Sequence, residues 1–118
     1  MCYAIHDGCD IVVEQAVIDY LKIDIDGTEF AVLKNLGSTD ILTRIKQIGL
    51  EIHPMHGSTS QIYYYWTVLE MLATKGFRRW YWAMNYRNTN LYQTPSGIRS
   101  CCYEMVYINT RFLDKTRN

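Results

Sequence analysis

Asp24 and Asp26 stand one residue apart in Leu21-Lys-Ile-Asp-Ile-Asp-Gly27, and Glu51 and His53 stand one residue apart in Gly49-Leu-Glu-Ile-His53, with Pro54 and His56 just beyond. Side chains alternate along a strand, so each pair projects to one side if its segment is extended. Two adjacent parallel strands would then gather three carboxylates and an imidazole at one edge. Three chemistries use such a set: holding a hard divalent cation through carboxylate oxygens, taking a proton from a substrate hydroxyl or amine, and hydrogen-bonding a polar ligand. The candidate catalytic residues are Asp24, Asp26, Glu51 and His53, with His53 the candidate base because an imidazole can accept a proton near neutral pH. The candidate metal ligands are Asp24, Asp26, Glu51 and His56. Each has a structural reading too. Asp26 followed by Glu29 fits a reciprocal helix cap, Lys22 is placed to neutralise Asp24, and Arg44 or Lys46 to pair with Glu51. Asp24 resists that reading most, since a carboxylate inside an apolar strand is costly unless paired or used.

These residues need elements to position them. From Tyr20, Leu21, Ile23 and Ile25 alternate with Lys22, Asp24 and Asp26, a strand of about six residues ended by Gly27. Phe30, Leu33 and Leu36 then recur at helical spacing, with Gly37 as the stop. A second strand follows from Gln47 to His53, broken by Pro54. Strand, helix and strand over some thirty residues imply a right-handed parallel crossover, and the carboxyl edge of such strands is where open α/β sheets bind ligands.

Ser60 is placed to cap a longer helix whose inner face is Ile62, Trp66, Leu69 and Ala73, widened by Tyr65 and Leu72, with Lys75 and Gly76 closing it. The Tyr63-Tyr-Tyr-Trp66 run is read as a core stripe rather than a base-stacking platform, because one helix spreads these rings around its axis. Phe77 to Met84 and Ser100 to Asn109 read as third and fourth strands, joined by a polar loop from Asn85 to Arg99. Residues 1–17 fit neither template, and residues 110–118 form a tail.

The chain is 118 residues long and 48% apolar, enough for one core and one domain. Twelve basic and twelve acidic residues cancel, which argues against a nucleic-acid partner. The charge is uneven, however: residues 1–51 carry nine acids and four bases, and residues 52–118 three acids and eight bases. Two solvated faces attracting one another account for this more simply than a cation site and an anion-docking surface. Cys2, Cys9, Cys101 and Cys102 show no zinc-finger spacing, and Cys101 and Cys102 read as small strand residues rather than a redox couple. No apolar run approaches the ~20 residues of a membrane span, and the first residues lack the basic and apolar regions of a signal peptide. The compartment is left open.

The stretch from Tyr20 to Leu36, with its lysine, carboxylate pair, glycine and glutamate, resembles the strand-turn-helix segment of FkbM-type and animal methyltransferase-like domains. Gly49 to His53 resembles the next strand, and Cys101 to Asn109 is similar to the closing strand of the animal branch. The resemblance runs from about Ile18 to Asn109. It implies an α/β fold, namely the carboxyl-terminal half of a class I, Rossmann-like methyltransferase sheet: strands four to seven, the last antiparallel, with helices on the faces. It also implies S-adenosylmethionine as cofactor, a small-molecule, sugar or protein methyl acceptor, and a place for Asp24, Asp26 and Glu51 at the rim of the cleft.

Two elements that the resemblance implies, the glycine-rich turn after the first strand and the acid after the second that binds the cofactor's ribose, are not found in the sequence. The glycine-rich turn that admits the cofactor's methionine end has no counterpart, because no G-x-G occurs in the sequence and Gly8 stands alone. The expectation is therefore a partial domain over residues 1–118 that holds no cofactor site of its own. Its first strand would present an unpaired apolar edge, which invites self-association. Two other readings are carried: a metal-dependent glycosyl- or nucleotidyl-transferase holding its cation through Asp24-x-Asp26, and a non-catalytic binding fragment.

Overall fold

The computed structural model describes residues 16–25, 27–53, 59–87 and 91–113. Its centre is a four-stranded mixed sheet in the order β1-β2-β6-β3. The strands are β1 (Leu21–Ile23), β2 (Gln47–Ile52), β3 (Phe77–Met84) and β6 (Tyr103–Asn109), while β4 (Leu91–Thr94) and β5 (Gly97–Ser100) form a separate hairpin. β1 runs parallel to β2, as the strand-helix-strand pattern requires, with Ile23 opposite Leu50. β6 is antiparallel to both of its neighbours, setting Tyr103 beside Ile52 on one side and Met84 on the other. The carboxyl ends of β1, β2 and β3 and the start of β6 therefore meet at one edge.

Among the described residues the α-helices are α1 (Glu29–Gly37) and α2 (Thr59–Thr74). They touch each other through Phe30 and Tyr65, whose rings stack at 4.1 Å and 17°. Alternation places Ile48, Leu50 and Ile52 of β2 inward, where they join Ile23, Phe30, Leu33, Val68, Leu72, Phe77 and Tyr107 in one buried cluster. A 3-10 helix (Ile41–Arg44) adds Leu42, and Ile45 follows it into the core. Asn109, at the end of β6, is fully buried. Its amide donates to the carbonyls of Leu42 and Ile45 at 3.3 and 2.9 Å, and its oxygen accepts from the Arg111 backbone at 3.1 Å. One side chain thus ties the last strand to the crossover after α1.

Several expectations are corrected. The first strand is three residues long, not six, because the backbone of Ile25 leaves the ladder: its N–H reaches Glu29 at 3.3 Å and its carbonyl accepts the Thr28 hydroxyl at 3.1 Å. The residue at the N-cap of α1 is Thr28, and Asp26, read as a possible cap, lies outside the described residues. Gly37 is the last residue of α1, and its lack of a side chain serves packing, since a Cβ there would lie 2.6 Å from the Met71 sulfur on α2. α2 begins at Thr59, which puts Ser60 inside the helix rather than at its cap. Gly76, with φ of +96°, closes the turn after α2 as its type suggests.

The inner face of α2 is rotated from the expected one. Val68 and Leu72 are buried and Tyr65 lies against Phe30, whereas Ile62 and Trp66 are more than half exposed. Helical spacing marks several apolar rows on so aromatic a segment, and the row meeting α1 and the sheet is Tyr65-Val68-Leu72. The loop from Asn85 to Arg99 contains the β4–β5 hairpin, turned at Pro95-Ser96 between Thr94 and Gly97. The fourth strand starts at Tyr103 rather than Ser100, and Cys101 and Cys102 are not strand residues. They are joined to each other by a disulfide.

Candidate active site

The turn after β1 is built around a carboxylate. Glu29, the first residue of α1, is completely buried. Its Oε1 accepts the N–H groups of Ile25 (3.3 Å) and Gly27 (3.1 Å), and Oε2 also accepts from Gly27 at 3.1 Å. His53, just past the end of β2, places Nδ1 2.7 Å from Oε1. Burial pushes the Glu29 carboxyl upward, but the N–H of Gly27, its own N–H, His53 and the N–H of Ile25 outweigh it and hold it below its ordinary value of 4.5. An ionised carboxylate only accepts hydrogen bonds, so Nδ1 of His53 must be the donor. In the neutral imidazole, Nε2 is then the basic nitrogen, and it lies 3.9 Å from Oε1 of Glu51.

Glu51 has the opposite electrostatics. The register Ile23–Leu50 brings Asp24 alongside it one residue further on, and Glu104 of β6 stands directly across. Burial, the negative charge of Asp24, a hydrogen bond shared with Asp24, and the charge of Glu104 push the Glu51 carboxyl above its ordinary value, with His53 opposing. The bases proposed to neutralise it are engaged elsewhere: Lys46 pairs with Asp19 at 2.7 Å, and Arg44 with Asp40 at 3.7 Å. Among the described residues no ion pair joins Lys22 to Asp24. Instead Tyr20 and Lys22 lie over Gly49, where a Cβ would land on the Tyr20 hydroxyl. The site thus holds one carboxylate stabilised as an anion and another disfavoured as one, on either side of a histidine. Environments that push neighbouring groups apart in this way are characteristic of acid–base sites.

Of the residues read from the sequence, Asp24, Glu51 and His53 are brought together, and Asp26 and His56 lie outside the described residues. Two members were missed. Glu29 was seen only as a capping partner, although its place directly after the turn was a signal that it could bend back into it. Cys102 was assigned to a strand, yet its sulfur lies within 4.8 Å of donor atoms of Glu51 and His53. Asp24, Glu29 and His53 form a second such group. An open groove of about 430 Å³ lies at the opposite edge of the sheet, between Trp66, Leu69 and Ala73 of α2 and Phe77 and Arg79 of β3. It contains no histidine or cysteine, so the carboxylate–histidine cluster is the better candidate for chemistry.

A mixed α/β sheet with a carboxylate–histidine cluster at the carboxyl ends of its parallel strands has that cluster where open α/β sheets bind their ligands. Comparison with known proteins gives the family. The model of the methyltransferase FkbM domain matches residues 3–87. Probable methyltransferase-like protein 24 of Rattus norvegicus and of Homo sapiens are each 32% identical over 103 residues, covering 80% of this chain. The chain belongs to the FkbM methyltransferase family, and it spans 28% of the length of these curated relatives. No solved structure matches significantly.

Proposed function

We propose that the chain forms the acceptor-facing half of an S-adenosylmethionine-dependent methyltransferase domain, acting on a hydroxyl or amine of a small molecule, sugar or protein. The sheet order supports this: β1-β2-β6-β3 with β6 antiparallel is the order this reading requires of strands four, five, seven and six of a seven-stranded Rossmann-like sheet. The observation that carries the reading is the hydrogen bond from His53 to the buried Glu29, which leaves the basic nitrogen facing the cluster. His53 is the base that takes the acceptor's proton as the methyl group arrives, Glu29 orients it and stabilises the imidazolium, and Asp24 and Glu51 hold the acceptor.

When bound, the cofactor supplies an electrophilic methyl group. Among the described residues no glycine-rich turn stands ready to form its cradle. Gly27, with φ of +108°, is the described glycine in the turn beside the cluster, and the space a Cβ there would fill is open.

A hybrid in which this chain replaces the matching segment of the human relative tests the reading. Isothermal titration with S-adenosylhomocysteine should show binding by the hybrid and none by the chain alone. With a panel of hydroxyl and amine acceptors, His53→Ala should slow the hybrid's turnover by about 10²–10⁴-fold. A folded hybrid that binds no S-adenosylhomocysteine, or manganese-dependent binding of a sugar nucleotide by the chain alone, would overturn it.

A further inference from the structure

The Cys101–Cys102 disulfide sits against the cluster, and nothing in the proton-transfer reading uses it. Both cysteines are buried at 7% exposure, in the short segment between β5 and β6. That segment is held firmly: the Cys102 N–H donates to the Ser100 hydroxyl at 3.1 Å, and the Cys102 carbonyl accepts from Asn85 at 3.0 Å. The Cys102 sulfur is thereby fixed within 4.8 Å of donor atoms of His53 and Glu51. A sulfur in a disulfide is a poor metal ligand, whereas a thiolate is among the strongest.

We infer that the disulfide masks a zinc-type metal site, and that its reduction completes the site with the Cys102 thiolate, Nε2 of His53 and the Glu51 carboxylate as ligands. In that reduced state Nε2 is occupied, and the proton transfer proposed for His53 in the oxidised protein is shut off. Glu29 gives the set its orientation. By accepting from Nδ1 at 2.7 Å it fixes the tautomer that offers Nε2, the arrangement in which a carboxylate backs a metal-binding histidine. One sulfur, one nitrogen and one oxygen donor suit zinc, a borderline-soft ion, better than magnesium or calcium, which prefer all-oxygen sets. Three protein ligands leave a fourth position open to water or to an acceptor oxygen.

The chemistry balances with a dithiol as reductant. Two electrons pass to the protein, the Cys101–Cys102 bond breaks, both sulfurs become thiols, and the dithiol closes to its own disulfide. Zinc then takes the place of the Cys102 thiol proton, which goes to solvent. Cys101 binds no metal. Its role is to hold Cys102 unavailable while oxidised.

Cobalt(II) is the probe, because thiolate ligation gives it a near-ultraviolet charge-transfer band that carboxylate and imidazole ligation do not. The chain carries Cys2→Ser and Cys9→Ser to leave only the pair, and is reduced with a phosphine. The reduced protein should show the band at one cobalt per chain and bind zinc at least about tenfold more tightly than the oxidised protein, since loss of an orienting partner alone costs that much. Cys101→Ser should bind without reductant, and Cys102→Ser should lack the band in either state. Equal affinity of the oxidised and reduced proteins, absence of the band after reduction, or its survival in Cys102→Ser would overturn the proposal. The first two of these need no substitution within the pair, and none depends on methyl transfer.

Discussion

Replacing Glu29 with glutamine alters one atom of a group that four structural features depend on: the turn, the start of α1, the orientation of His53 and the end of β1. Oε1 accepts from Ile25, Gly27 and His53, while among the described residues Oε2 accepts from Gly27, which Oε1 already serves. A glutamine with its oxygen in the Oε1 position still accepts from all three donors, but its amide N–H2 then faces the Gly27 N–H across the 3.1 Å that Oε2 spans. It also loses the charge. Hydrogen bonds to an ionised acceptor contribute about 1 kcal/mol more than neutral ones, and the cheaper burial of a neutral amide offsets part of that over three bonds. Glu29→Gln should therefore destabilise by about 1–2 kcal/mol, and Glu29→Ala, which strands three donors, by about 3 kcal/mol or more.

The pH dependence separates this from a simple packing defect. The Glu29 carboxyl is held below 4.5 in the folded chain, so its contribution is fully present above that value and is lost as pH falls through the folded pKa. The gap between wild type and Glu29→Gln should be widest near neutral pH and narrow below 4.5. Urea denaturation at both ends of that range measures it. Equal stability at neutral pH, or a gap that does not shrink in acid, would refute the charge argument.

Glu51→Gln should act in the opposite direction: its folded carboxyl lies above 4.5, so the ionised form is unfavourable to folding, and removing the charge should stabilise by up to about 1 kcal/mol at neutral pH and not below 4.5, seen in the same denaturation series. Asn109→Ala leaves the carbonyls of Leu42 and Ile45 without this donor and should cost about 2–3 kcal/mol by equilibrium unfolding. The observed face of α2 predicts that Leu72→Ala costs about 2–5 kcal/mol while Trp66→Ala changes the thermal midpoint little, within about 0.5 kcal/mol. The reverse order would make Ile62-Trp66-Leu69-Ala73 the inner row.

The sequence carried the parallel pair and its cargo. Alternation in Leu21 to Ile25 and Gln47 to Ile52 was enough to bring Asp24, Glu51 and His53 to one edge, because a strand offers only two faces and neighbouring strands share them. Periodicity failed where several solutions were equally regular. Ile62-Trp66-Leu69-Ala73 and Tyr65-Val68-Leu72 are both helical rows, and only contact with α1 selects between them. The place of Glu29 at the heart of the site was hidden because a carboxylate opening a helix has an ordinary local explanation in capping. The sulfur–sulfur bond was missed because a strand was assumed to run through Cys101 and Cys102, a premise that the hairpin before them removes.

That hairpin leaves and rejoins the sheet through a narrow neck. Met84 and Tyr103 are opposite one another, the Ser100 hydroxyl donates to the Asn85 carbonyl at 2.8 Å, and Asn85 in turn bonds Cys102. Everything between is suspended from a closed collar, so residues 91–98 can drift in sequence or length without disturbing strand register. Shortening or rewriting residues 91–98 should therefore leave the β3–β6 pairing as it is.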